Sequence, residues 1–183
     1  MDLKEQIKEI KQSFRLMMDG MVAASMRNKG VDYKLNWGAT LPRLKAKAEE
    51  IGQNYDLAIA LWKENVRECK ILASLLMPID QMPAEVADIW VDQMPTAEIA
   101  QTCSMFLLSR EPWAPQLAFQ WIAADSPMRQ LCGFLILARL LSQGAELNER
   151  SALELRDQAA ALLPQADLHL RKAIHATLSA LDR

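Results

Sequence analysis

The chain reads Ala58-Ile59-Ala60-Leu61-Trp62, breaks, and resumes as Cys69-Lys70-Ile71-Leu72-Ala73. It then reads Ala87-Asp88-Ile89-Trp90, breaks at Pro95, and resumes as Cys103-Ser104-Met105-Phe106-Leu107. A third unit follows: Ala118-Phe119-Gln120-Trp121, a break at Pro127, then Cys132-Gly133-Phe134-Leu135-Ile136. The tryptophans are 28 and 31 residues apart and the cysteines 34 and 29. Each unit therefore predicts one helix ending near Trp and a second helix centred on Cys. Two helices per period of about 30 residues is the pattern of an α-solenoid, in which no pair can bury its apolar face alone and neighbours must stack. The recurring Trp and Cys residues are expected in the core at equivalent layers, not as a cofactor box.

The breaks carry helix-start chemistry. Thr96 with Glu98, and Ser126 before Pro127, predict N-caps. Asn65 with Glu68 predicts a capping box. Thr40 is expected to cap a helix over Leu41 to Ile51, and Gly52 to end it. Asp80 and Pro83 are expected to open the helix ending near Met94. Asn148 and Asp167 are expected to open helices over Glu149 to Leu163 and Leu168 to Leu181. Upstream, apolar spacing predicts a helix from Asp2 to Gln12. A second, Met-rich helix is expected from Phe14 to Arg27, with Met17, Met18, Met21 and Met26 filling core. A loop follows from Asn28 to Ala39.

Composition agrees with an all-α reading. Hydrophobic residues are 51% and charged residues 24% of 183, with only 6 glycines and few β-branched runs. The expected fold is a right-handed α-superhelix of HEAT-like antiparallel helix pairs, as one domain over residues 1–183. Within it, 1–39 form N-terminal helices and a loop, 40–142 the repeat core, and 143–183 a C-terminal helix pair.

Charge is uneven. Residues 1–77 hold 13 Lys and Arg against 10 Asp and Glu, and residues 78–183 hold 8 against 13. The basic N-terminal part suits phosphate contact. Candidate nucleic-acid-binding residues are Arg43, Lys45, Lys47, Lys63, Arg67 and Lys70, with Arg129 further on. The alternative for Arg67 is a structural pairing with a carboxylate across the helix stack. Three widely spaced cysteines fit neither a disulfide framework nor a zinc site. His169 and His175 lie six apart, off a common helix face, so no metal site is expected. Phosphate loops, CxxC, HExxH and nucleophile elbows are missing from the sequence, and no cofactor is expected. The N-terminus has no signal-peptide core, and the longest apolar run, Leu131 to Ala138, is too short to span a bilayer. A soluble, cytoplasmic protein without membrane partners is expected.

The stretch from Trp37 to Met77, WGATLPRLKAKAEEIGQNYDLAIALWKENVRECKILASLLM, carries a resemblance. Trp37-Gly38-Ala39, Pro42-Arg43-Leu44, Leu61-Trp62 and Arg67-Glu68 resemble the DNA alkylation repair family of HEAT-like alkylpurine glycosylases. The likeness spans residues 36–141. It implies duplex DNA bound on a concave face. It also implies a catalytic pattern of an aromatic, three residues, then Asp at a helix start, where a fixed carboxylate would stabilise the cationic sugar as the base leaves. The matching positions here are Ala97 and Gln101, which supply neither group. A further family feature, an aromatic followed by paired arginines, is matched by Met128 and the single cation Arg129. Trp121 and Asp125, four apart, are the one rival aromatic–acid pair, with Asp125 expected past its helix end. The functional expectation is a DNA-binding member with a degenerate or absent glycosylase site. The alternative is a non-catalytic scaffold for another protein.

Overall fold

In the computed structural model, which describes residues 2–183, the side-chain oxygens of four expected caps close helix starts, while Thr40 stands at the start of its helix without a side-chain bond. Thr96 accepts from the Ile99 amide, Ser126 from Arg129, Asn148 from Ser151 and Asp167 from Leu170. Asn54 does the same for Leu57. These bonds satisfy amides that a helix leaves unpaired in its first turn. Among the described residues every regular element is helical, as the repeat pattern predicts.

The chain divides into two compact units at Met82 and Pro83. The first contains α1 (Leu3–Ser13), α2 (Gly20–Asn28), α3 (Leu41–Ile51), α4 (Tyr55–Trp62) and α5 (Arg67–Leu76). Its centre is α5, against which α3 and α4 pack, while α1 lies on α4. Cys69, Ile71, Leu72, Ala73 and Leu76 are buried there with Leu44, Leu57, Leu61 and Trp62. A helix buried nearly all round is expected at a domain centre. Here its first turn also buries Arg67, Glu68 and Lys70.

The second unit contains α6 (Ala84–Asp92), α7 (Ala97–Phe106), α8 (Ala114–Ile122), α9 (Pro127–Ser142), α10 (Glu149–Leu162) and α11 (Leu168–Leu181). Its centre is α9, packed by α6, α7, α8 and α11. Gly133 lets α8 approach closely: a Cβ there would stand 2.7 Å from the Ala118 carbonyl oxygen and from Ile122 Cγ1. Trp62, Trp90 and Trp121 are 1–2% exposed and Cys69, Cys103 and Cys132 are fully buried, so the recurring pairs are core within their units. Burial pushes the Cys69 thiol up to about 12 and raises that of Cys132 as well, so these thiols are packing groups.

Three local expectations are corrected. The Met-rich helix does not run from Phe14: residues 14–16 form a turn, 17–19 continue without helix, and α2 starts at Gly20. Asp19 sets that start, its carboxylate accepting from the amides of Met21 and Val22. Met18 and Met21 are consequently exposed, at 57% and 85%, instead of filling core. The Asn65–Glu68 capping box does not form. Val66 is the N-cap of α5, without a side-chain bond, because Glu68 is turned inward to other partners.

Candidate nucleic-acid interface

A groove of about 400 Å³ runs along α1 in the first unit. Lys4, Lys8, Lys11 and Arg15 recur at spacings of four, three and four, so a helical period lines them up on one side, Arg15 just past the last turn. All four line the groove, with Ile7, Glu64 and Trp37. Lys11 is bound to Glu64 at 2.7 Å, and that bond holds its ammonium above the usual lysine range. Among the described residues, Lys4, Lys8 and Arg15 have no ion pair, so the groove keeps a net positive charge.

Trp37 reaches this groove from the loop between α2 and α3, and the loop is held by a buried ion pair. Arg67 Nη1 donates to Glu68 Oε1 at 3.1 Å and to the Ala39 carbonyl at 2.8 Å. Glu68 Oε1 in turn accepts from the amides of Trp37 at 3.1 Å and Ala39 at 3.3 Å. The Arg67 amide donates to the Leu35 carbonyl, and the Trp37 carbonyl accepts from the Asp19 amide, each at 3.0 Å. Gly38 completes the bend. Its φ is +73°, and a Cβ would fall 2.1 Å from the Asp19 carbonyl oxygen. Trp37, Gly38, Arg67 and Glu68, all within the stretch that carried the family resemblance, thus form one loop clamp.

The expected cationic residues separate into two groups. Arg43, Lys45 and Lys63 are exposed, and Lys47 is partly exposed beside Glu50 at 3.1 Å. Arg43 also reaches the Met17 carbonyl at 3.4 Å. Arg67 and Lys70 are corrected: they are 3% and 6% exposed, out of reach of a phosphate. Arg67 serves the clamp, where its guanidinium pairs with Glu68. Lys70 donates to the Trp62 carbonyl at 2.6 Å and lies 4.5 Å from the centre of that indole. Burial lowers the Lys70 pKa, and the cation–π contact compensates part of that desolvation. Sequence reasoning missed the α1 stripe because Glu5 and Glu9 alternate with its lysines in linear order. The signal that finds it is the helical spacing of 4, 8, 11 and 15.

In the second unit Arg129 faces two carboxylates. Its Nε and Nη2 donate to the two oxygens of Asp92 at 2.7 Å each, and Nη1 to Asp88 Oδ1 at 2.8 Å. The Trp121 indole N–H donates to the same Asp88 oxygen at 2.7 Å, and Trp113 meets Trp121 edge-on with centroids 6.4 Å apart. The guanidinium holds the Asp92 carboxyl below the usual carboxylate range, and the two acids raise Arg129. Arg129 is thereby engaged by protein acids, not presented as a bare cation. Trp121 and Asp125 do not come together: Trp121 is buried at the end of α8, and Asp125 is exposed in the following loop. Ala97 and Gln101 lie in the first half of α7, where Gln101 is exposed. His169 and His175 are exposed on α11, and among the described residues no cluster of three or more metal-ligating side chains forms. No helix among these residues is long and apolar enough to cross a membrane.

Comparison with known proteins places the fold. A solved structure described as "a new family of proteins related to the HEAT-like repeat DNA glycosylases with affinity for branched DNA structures" superposes with a TM-score of 0.86. It shares 17% identity, and the match covers 99% of this chain and 76% of that one. Nothing among curated proteins matches the sequence significantly. The family model described as DNA alkylation repair enzyme matches residues 10–182, nearly the whole chain, and the protein belongs to that family.

Proposed function

We propose that this protein binds DNA through the first unit, with the α1 groove as the phosphate contact, and that it lacks the glycosylase site of active relatives. The observation that carries the reading is the alignment of Lys4, Lys8 and Arg15 along one groove without ion pairs among the described residues. Phosphate contact needs cations in register with a strand, and counterion release then drives binding. From Lys4 to Lys11 the helix rises about 10 Å, roughly the axial length of three nucleotides of one B-form strand. The exposed Arg43, Lys45 and Lys63 add to the field of this unit. The affinity of the matched protein for branched DNA supports a branched substrate for this one. The missing glycosylase site rests on Ala97 and Gln101, which offer no carboxylate to a developing cation, and on the separation of Trp121 from Asp125.

The test is a titration of labelled forked and duplex DNA at low and moderate salt, with wild-type protein and the K4E/K8E/R15E variant. Binding that weakens with salt and collapses in the variant is expected. No binding of wild-type protein at low salt refutes the proposal. Release of a base from alkylated DNA by the wild-type protein overturns its second half, and Asp88 and Asp92 are then the carboxylates to replace.

A second reading, a scaffold for another protein, is favoured by one observation. Leu16, Met18 and Met21, at 88%, 57% and 85% exposure, gather apolar side chains at the α1–α2 turn. Unchanged DNA affinity in a Leu16→Ser, Met21→Ser variant, with loss of a stable protein complex, would support it.

A further inference from the structure

We infer that the α1 groove accepts an unpaired stretch of strand, its phosphates along Lys4, Lys8 and Arg15 and one base stacked on Trp37. This rests on the DNA-binding reading above and names the part of the DNA that the groove selects. The three repeat tryptophans are buried at 1–2% exposure, whereas Trp37 is partly exposed on the wall of a basic groove. Its backbone is held on both sides: the amide by Glu68 and the carbonyl by the Asp19 amide. The glycine that follows admits no Cβ. A buried ion pair with one carboxylate oxygen, Glu68 Oε2, lacking a hydrogen bond is a costly way to secure packing. It is an effective way to fix the backbone that carries an aromatic, because a platform with fewer positions to lose gives up less entropy when a base stacks on it.

The preference for an unpaired strand follows from what each DNA form offers. In duplex the base faces are covered by their neighbours, leaving Trp37 only sugar, phosphate and the groove edges of bases to touch, none of which offers a stacking face. In an unpaired strand a base face is free, and cations beside an aromatic platform form the usual single-strand site. Arg67 and Glu68 are then positioning residues, acting on the strand only through Trp37.

The experiment measures binding of a labelled oligothymidylate and of a blunt hairpin duplex of equal length to wild-type protein and to W37A and W37F. A parallel titration follows the fluorescence of 2-aminopurine placed within the single strand. Wild-type protein should prefer the single strand and quench 2-aminopurine. Truncation in W37A should cost roughly tenfold on the single strand, the scale of one base–aromatic stack, and bring the strand-to-duplex ratio toward one. W37F should keep most of the preference, since it keeps a ring. Equal wild-type affinity for the two DNAs, or absence of quenching, overturns the inference even if W37A fails to fold. Equal losses on both DNAs in W37A would assign Trp37 to packing. Failure of wild-type protein to bind either DNA at low salt would instead remove the DNA-binding reading itself.

Discussion

Glu68 Oε1 accepts the Trp37 amide at 3.1 Å, across 31 residues of chain, while also pairing with Arg67. A carboxylate in the first turn of a central helix thereby determines where an aromatic at the edge of a basic groove stands. The pair is 3% and 0% exposed at its side chains, so the bond is formed out of water. Its contribution is best read from what happens when the charge is removed.

Glu68→Gln keeps an oxygen for the two loop amides but removes the carboxylate charge that the buried Arg67 guanidinium meets at 3.1 Å. Breaking such a pair costs about 3–5 kcal/mol. For a chain of this size the thermal midpoint should fall by on the order of 10 °C. Calorimetry of the variant checks this, and a midpoint within a degree or two of wild type would show that the clamp is not stabilising.

Gly133→Ala should destabilise although alanine is the better helix former. The helix-propensity gain is about 1 kcal/mol. The new methyl would stand 2.7 Å from the Ala118 carbonyl oxygen and from Ile122 Cγ1, so α8 must move away from α9. Overpacking of this kind costs about 1–3 kcal/mol, and the contact with backbone places it toward the upper end. Urea unfolding gives the sign, and a variant as stable as wild type would mean that α8 shifts freely.

Asp92→Asn should weaken the fold at neutral pH and do so less in acid. Arg129 lowers the folded-state pKa of Asp92, chiefly through their hydrogen bonds. The contribution is therefore complete above the unfolded value, about 3.9, and fades as pH falls through the lower folded value. Because the Asp92 side chain is 53% exposed, solvent screening keeps the neutral-pH cost below about 1 kcal/mol. Chemical unfolding of both proteins across pH should show the gap closing in acid. A gap constant with pH would assign the effect to packing.

Replacing Lys4, Lys8 and Arg15 one at a time by Gln should flatten the salt dependence of DNA binding. For every phosphate deprived of its cation, the slope of log K against log salt should fall by about 0.7–0.9. An unchanged slope in all three would place the phosphate contacts elsewhere, with Arg43, Lys45 and Lys63 the next to replace.

Much of the helical plan was legible in the linear chain. The Trp-then-Cys units marked buried layers, and Thr96, Ser126, Asn148 and Asp167 marked helix starts, because capping is local chemistry within three residues. The same logic failed at Asn65 and Glu68. A capping box and a buried clamp use the same residue types, and only the distant amides of Trp37 and Ala39 decide between them. It failed again at Met18 and Met21, since the Asp19 cap broke the continuous helix that would have turned them inward.

The candidate site divides along the same line. The sequence by itself determined that this is a helical-repeat chain with a basic N-terminal part, and its Trp37-to-Met77 stretch carried the family likeness. Only tertiary structure decided which cations face water. Arg67 and Lys70 sit on a helix whose every side is packed, whereas Lys4, Lys8 and Arg15 line an open groove. It likewise decided that Trp121 answers to Asp88, 33 residues upstream, and not to the nearby Asp125. Burial and long-range hydrogen bonding depend on what surrounds a residue in space, and the spacing of residues along a chain does not specify that.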